Sequence, residues 1–256
     1  LQGILCKPEN FDPSQKYPML VYFYEKRSDN LNRYNIPSPI ATVINWSYCV
    51  SNGYLVFIPD VVFRKGEPGA SSYDAVVSGV KSLIDRYDFI DKDRIALNGH
   101  SWGGYQIAFL VTRTNMFKAA VSGAPVVNMT SAYGGIRWES GKSRMFQYEQ
   151  TQSRIGGTLW DKPAEFIRNS PLFFLPQVQT PVLIMHNDKD GSVMWEQGIE
   201  FFMALRRLDK PVWLFNYKGE GHHLKKWENR LDYSRRVMEF YDYYLKDGKK
   251  PEWMKS

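Results

Sequence analysis

The chain has 256 residues, of which 43% are hydrophobic and 15% aromatic, and a formal net charge of +6. That is apolar material for one large α/β domain and too much for a disordered chain. The basic residues are scattered and their densest pairs, Lys225-Lys226 and Lys249-Lys250, sit near the C-terminus, which reads as solvated surface and argues against a nucleic-acid face.

Gln2 to Lys7 reads as a short strand, and Pro18 to Tyr24 as a near-continuous apolar run suited to a strand buried on both faces. Tyr34 to Asn52 contains a helix leading to Gly53, a plausible stop, and Tyr54 to Pro59 is a further strand. Ser72 to Tyr87 places Ala75, Val76, Val80, Leu83 and Ile84 at helical spacing. Arg94 to Asn98 is a strand, Gly104 to Val111 a buried helix, and Ala119 to Ser122 a strand. The stretch 126–162, rich in Gly, Ser, Arg, Tyr and Trp, breaks the alternation and reads as a mostly helical insertion. Pro181 to Met185 is a strand, Glu196 to Leu208 a helix, Val212 to Tyr217 the last strand, and Leu231 to Leu245 an amphipathic helix. Strands alternating with helices predict a mostly parallel, doubly wound sheet with helices on both faces.

No run is long and apolar enough for a membrane span, and no signal peptide is visible. The start at Leu1, without methionine, suggests a fragment or a processed chain. Cys6 and Cys49 have no metal-ligand spacing and read as free thiols. Asn45-Trp46-Ser47 and Asn128-Met129-Thr130 fit the glycosylation pattern, which matters only in a secretory compartment.

The chemistry centres on Gly99-His100-Ser101-Trp102-Gly103. A strand, a sharp turn and a helix around Gly-x-Ser-x-Gly form the nucleophile elbow of the α/β-hydrolase fold. The serine there is held in a strained backbone conformation, so small residues must lie two positions to either side. A serine hydroxyl near neutral pH needs a base and a carboxylate to orient that base, and in this fold the chain order is Ser, then Asp or Glu, then His. Four histidines bound the search. His100 lies inside the elbow, with its side chain expected to leave in a different direction from Ser101, and His186 closes a strand and reads as structural. His222 and His223 follow the last strand in a glycine-rich loop, where the base belongs, and Asp188 and Asp190 follow the strand before it. Spacing leaves both pairs open, with a lean to His222.

These residues resemble the prolyl oligopeptidase family of serine peptidases, and most nearly its dipeptidyl-peptidase-like branch. The likeness spans essentially the whole chain as that family's catalytic domain. Gly99 to Tyr105 is similar to the family's Gly-x-Ser-x-Gly-Gly-Tyr elbow, His186 to Val193 to His-Gly-x-x-Asp-x-x-Val with Asn187 in place of glycine, and Glu220-Gly221-His222 to Glu-Gly-His. The resemblance implies a triad of Ser101, Asp190 and His222. It implies an oxyanion hole from the Trp102 backbone N–H and the Tyr24 hydroxyl, and an S1 pocket from Trp102, Val126, Tyr133 and Val193. It also implies peptide substrates, no cofactor or metal, an N-terminal β-propeller outside this chain, a secreted or periplasmic location, and association into a homodimer through this domain. An esterase or lipase on the same fold is the alternative, although no His-Gly-Gly-Gly loop follows the early strand.

Overall fold

The computed structural model describes residues 2–255, in which the apolar runs pair as strands. In chain order these are β1 (Gly3–Cys6), β2 (Tyr17–Tyr22), β3 (Leu55–Pro59), β4 (Ile90–His100), β5 (Ala119–Gly123), β6 (Ile136–Arg137), β7 (Lys142–Ser143), β8 (Val182–Met185) and β9 (Val212–Phe215). Seven of them form one sheet in the order β1-β3-β2-β4-β5-β8-β9, while β6 and β7 make a separate two-stranded ribbon. Only β1 runs antiparallel, against β3; the other neighbours in the large sheet are parallel.

The period-2 alternation of side chains sorts this sheet into two cores. Met19, Val21, Leu97, Ala120 and Ile184 face one side, where they pack against α2 (Pro68–Arg86), α3 (Trp102–Val111) and α6 (Glu196–Arg207). Leu20, Tyr22, Ala96, Val121 and Leu183 face the other, against α1 (Trp46–Ser51) and α7 (Trp227–Leu245). This is the α/β-hydrolase architecture, with helices on both faces of a mostly parallel sheet. Asn98 locks the central strand to the far layer: its amide donates to the Tyr241 hydroxyl at 3.0 Å, and that hydroxyl donates to the Leu97 carbonyl at 2.9 Å.

Several boundaries differ from the sequence reading for identifiable reasons. The second helix begins at Pro68, one turn earlier than its apolar spacing shows, because Pro occupies the first helical turn where its missing N–H costs nothing. Helix α7 begins at Trp227, one turn before the Leu231 of the sequence reading, which missed a first turn, Trp-Glu-Asn-Arg, that carries no apolar stripe. The helix expected within 34–52 is α1, which Asn45 starts by accepting the Tyr48 N–H.

The insertion is not mostly helical. Between 126 and 162 it holds the short α4 (Met129–Tyr133), the β6–β7 ribbon, and a wide helical turn at Gln147–Thr151, joined by irregular segments. Glycines at 134, 135, 141, 156 and 157 interrupt helix propagation there. Helix α5 (Pro163–Arg168) follows. Asn45 and Asn128 both use their side chains as helix caps, so each sequon amide has a structural task. Cys6 and Cys49 are free, and burial pushes the Cys49 thiol up to about 12. Among the described residues no helix is long and apolar enough to cross a membrane.

Candidate active site

Strand β4 ends at His100 and α3 begins at Trp102, so Ser101 alone makes the turn between them. Its φ of 60° and ψ of −117° place it outside the regions that L-residues ordinarily occupy. The turn is held by the Ser101 N–H donating to the Gly123 carbonyl at 2.8 Å. Close packing then dictates the glycines. A Cβ on Gly99 would lie 2.8 Å from the Gly103 carbonyl, one on Gly103 would lie 2.8 Å from the Phe23 carbonyl oxygen, and one on Gly104 would collide with the Gly123 oxygen.

The other candidate residues come from loops at the same carboxyl edge, after β2, β8 and β9, where ligands sit in open parallel sheets. Asp190 is buried, and its Oδ1 accepts the N–H groups of Ser192 and Val193, each at 2.8 Å. Its Oδ2 accepts from His222 Nδ1 at 2.7 Å and lies 3.3 Å from His186 Nε2. Burial alone would raise the Asp190 pKa, but the hydrogen bonds from His186 and His222 outweigh it and hold the group far below the usual carboxylate range. An ionised carboxylate only accepts, so His222 Nδ1 is the donor in this bond.

The two aspartates left open by spacing therefore have different tasks. Asp188, half-exposed, accepts the Gly219 N–H at 2.7 Å and fastens the two loops together. Asn187 reinforces that junction, donating to the Gly221 carbonyl at 2.9 Å and accepting the Tyr217 N–H at 3.0 Å. Glu220 fixes the far side of the His222 loop by accepting from the N–H groups of Lys225 and Lys226, both at 2.9 Å, and from the Asn229 amide at 2.8 Å. His223 is exposed.

His100, set aside as a base in the sequence reading, stays at the site. Its ring lies 4.6 Å from that of His222, and it helps to line the same cleft. Parallel pairing of His100 with Gly123 directs the side chain there, and a Cβ on Gly123 would fall 2.5 Å from His100 Nδ1. Burial, then the proximity of His222 and His223, lowers the His100 pKa well below its ordinary value, so it forms a neutral wall.

The cleft encloses about 450 Å³, and Tyr24, Ser101, Val193 and His222 all line it. Tyr24 lies two residues past β2; its hydroxyl accepts from the Gln152 amide at 3.0 Å and faces Ser101. Burial raises the Tyr24 pKa against the opposing hydrogen bonds of Gln152 and Ser101, which keeps the phenol protonated and able to donate. Trp102 is the first residue of α3, so its backbone N–H has no acceptor within the helix. The Trp102 side chain turns away and stacks on Tyr105 at 4.3 Å between centroids. Trp102, Val126, Tyr133 and Val193 belong to one buried apolar cluster, and of these only Val193 also lines the cleft. The Tyr133 hydroxyl donates to Glu149 at 2.6 Å.

Sequence reasoning did not give His186 a place beside Asp190, nor Gln152 a place beside Tyr24. The His186–Asp190 spacing of four residues was the available signal for the first; Gln152, 128 positions from its partner, offered none. Among the described residues, no three His, Cys, Asp or Glu side chains gather as a metal ion would require.

The profile of the prolyl oligopeptidase family matches residues 44–248. Dipeptidyl-peptidase 5 of Aspergillus oryzae is 26% identical over 95% of this chain and 34% of its own length. Dipeptidyl peptidase 8 of Homo sapiens is 26% identical over 94% of this chain and 26% of its own length. The chain thus spans a quarter to a third of these relatives. Among solved structures, an acylaminoacyl peptidase in complex with a Z-Gly-Gly-Phe-chloromethyl ketone superposes with a TM-score of 0.77 at 19% identity, covering 99% of this chain and 41% of the other. Dipeptidyl peptidase 4 of Porphyromonas gingivalis superposes with a TM-score of 0.73 at 23% identity, covering 95% and 33%; both likenesses speak to the fold. With the profile extending from just before α1 to just past α7, this chain belongs to the prolyl oligopeptidase family.

Proposed function

We propose that residues 1–256 form the catalytic domain of a serine peptidase that hydrolyses oligopeptides through Ser101, His222 and Asp190. The observation that carries this reading is the buried 2.7 Å bond from His222 Nδ1 to Asp190, in a cleft that also receives the strained Ser101. The names of the relatives, dipeptidyl peptidases among them, support a peptide as substrate.

In this mechanism Ser101 Oγ attacks the peptide carbonyl while His222 Nε2 takes its proton. Asp190 holds the ring and stabilises the imidazolium. The Trp102 N–H and the Tyr24 hydroxyl receive the charge that develops on the carbonyl oxygen. Collapse expels the amine, protonated by His222, and leaves an acyl-enzyme on Ser101. Water then attacks the ester carbonyl with His222 again as base, and serine is released. The S1 wall belongs to the same proposal: Val193 at the cleft, backed by Trp102, Val126 and Tyr133. Pairing of two copies through α7 does as well, supported by the exposed Trp227 and Leu231 on that helix.

Labelling by a fluorophosphonate tests the reading. The wild-type chain should take up one equivalent on Ser101, and Ser101→Ala should take up none. Undiminished labelling of the variant would mean that another nucleophile does the chemistry.

A further inference from the structure

Arg144 is the most deeply buried charged side chain in the cleft, with 4% of its surface exposed. Its Nε and Nη1 find no hydrogen-bond acceptor among the described residues. Its guanidinium lies 5.6 Å from the centre of the Tyr148 ring, and the side chain forms part of the wall shared with Ser101 and His222. The neighbouring charges do not neutralise it. Glu139 accepts from the Ser192 hydroxyl at 3.0 Å, and Arg137 donates to that same oxygen at 3.0 Å. Glu149 is engaged by Tyr133, and Glu25 by Arg154 at 3.1 Å. Arg27 stands over the Tyr24 ring at 5.2 Å. The lining therefore presents three guanidinium groups and a single carboxylate.

A buried cation without an anion is costly, and a fold retains one readily where a ligand supplies the missing charge. The planar fork of arginine matches a carboxylate with two parallel hydrogen bonds. Much of the desolvation of Arg144 is already incurred by its burial in the fold, so an incoming carboxylate meets a donor that bulk solvent screens little.

We propose that Arg144, assisted by Arg137, receives a carboxylate of the substrate. The enzyme would then favour peptides with an acidic side chain or a free C-terminal carboxylate close to the scissile bond. This rests on the serine-peptidase reading and adds the charge class of its substrate.

Two substrate pairs on the full chain test it: peptides differing only by Glu against Gln beside the cleaved bond, and peptides differing only by a free carboxylate against a carboxamide at the C-terminus. We expect kcat/KM to favour the carboxylate member of one pair by about tenfold or more, and that pair identifies the source of the charge. Arg144→Gln should bring the ratio close to one, and Arg144→Lys should retain part of it, a pattern that a purely structural arginine would not give. Should Arg144→Gln fail to fold, a second measurement on the wild type decides: the carboxylate peptide should protect Ser101 from fluorophosphonate at about a tenth of the concentration its neutral partner needs. Ratios of one in both pairs, with Ser101 still labelled, overturn the carboxylate site and leave the peptidase reading intact. An unlabelled Ser101 overturns the peptidase reading instead.

Discussion

Tyr24 shows at the scale of one residue how the site prepares a hydrogen-bond donor. Its hydroxyl already accepts from Gln152, so its own proton is free for another oxygen, and burial keeps that proton in place. Tyr24→Phe keeps the ring beneath Arg27 and removes only the hydroxyl, which is both the donor toward the cleft and the acceptor for Gln152. Turnover should fall by about 10² or more with little change in melting temperature, since one oxyanion donor is typically worth about 2.7–4 kcal/mol to the transition state. Steady-state rates on a peptide anilide would measure this, and wild-type turnover would remove Tyr24 from the mechanism. At this scale the sequence was partly legible. Residue type and chain order reduced the base to two adjacent histidines and the acid to two aspartates two positions apart. They could not go further, because a shift of two residues within a turn decides whether a carboxylate meets His222 or the Gly219 N–H. That His100 also lines the cleft was hidden for a similar reason: it pairs with Gly123, a strand away in sequence.

At the scale of elements, the strand–turn–helix unit is held together by close approach of backbones. Gly104 is the tightest point: a Cβ there would meet the Gly123 oxygen and lie 3.2 Å from the Pro125 Cα, both backbone atoms that cannot swing aside. The Ser122 hydroxyl also donates to the Gly104 carbonyl at 2.9 Å, so α3 cannot lift from β5 without losing a buried bond. Gly104→Ala should destabilise by about 1–3 kcal/mol and lower the melting temperature by about 2–4 °C per kcal/mol. Gly134→Ala is the control, since a Cβ there meets nothing within 4 Å. Equal melting temperatures for the two variants would show that the elbow is not packed as tightly as described. The strands were the most legible elements, because burial on both faces writes them as unbroken apolar runs. Helix starts were less so, since the first turn of α7 lies where no core selects apolar residues. The insertion was least legible: Met129, Ala132 and Tyr133 of the short α4 meet Tyr148 and Ile155 in one cluster across irregular connections, and no single local period spans them.

Across the whole molecule, ionised carboxylates stitch the carboxyl edge of the sheet. Asp60, just past β3, accepts the N–H groups of Arg27 and Ser28 at 2.6 and 2.8 Å. Glu220 closes the His222 loop, and Asp232 on α7 receives the Tyr217 hydroxyl at 2.9 Å and Arg236 Nε at 2.6 Å. In Asp60, Glu220 and Asp232, as in Asp190, burial pushes the pKa up, but the hydrogen bonds prevail and the net shift is downward. A group whose folded pKa lies below its unfolded value, about 4 for a carboxylate, contributes stability that is complete above that unfolded value. It is lost as the pH falls through the folded value. Urea midpoints should therefore hold steady from pH 7 to about 5 and drop progressively below about 4. A basic chain gains further positive charge in acid, and general repulsion would lower the midpoint too. Glu220→Gln combined with Asp232→Asn separates the two causes, because it removes titrating ties while leaving the scattered basic residues in place. The double variant should be less stable than wild type at pH 7, and the gap should narrow as the pH falls toward 3. A gap that stays constant over that range would assign the acid sensitivity to overall repulsion, with no part for these anchoring carboxylates.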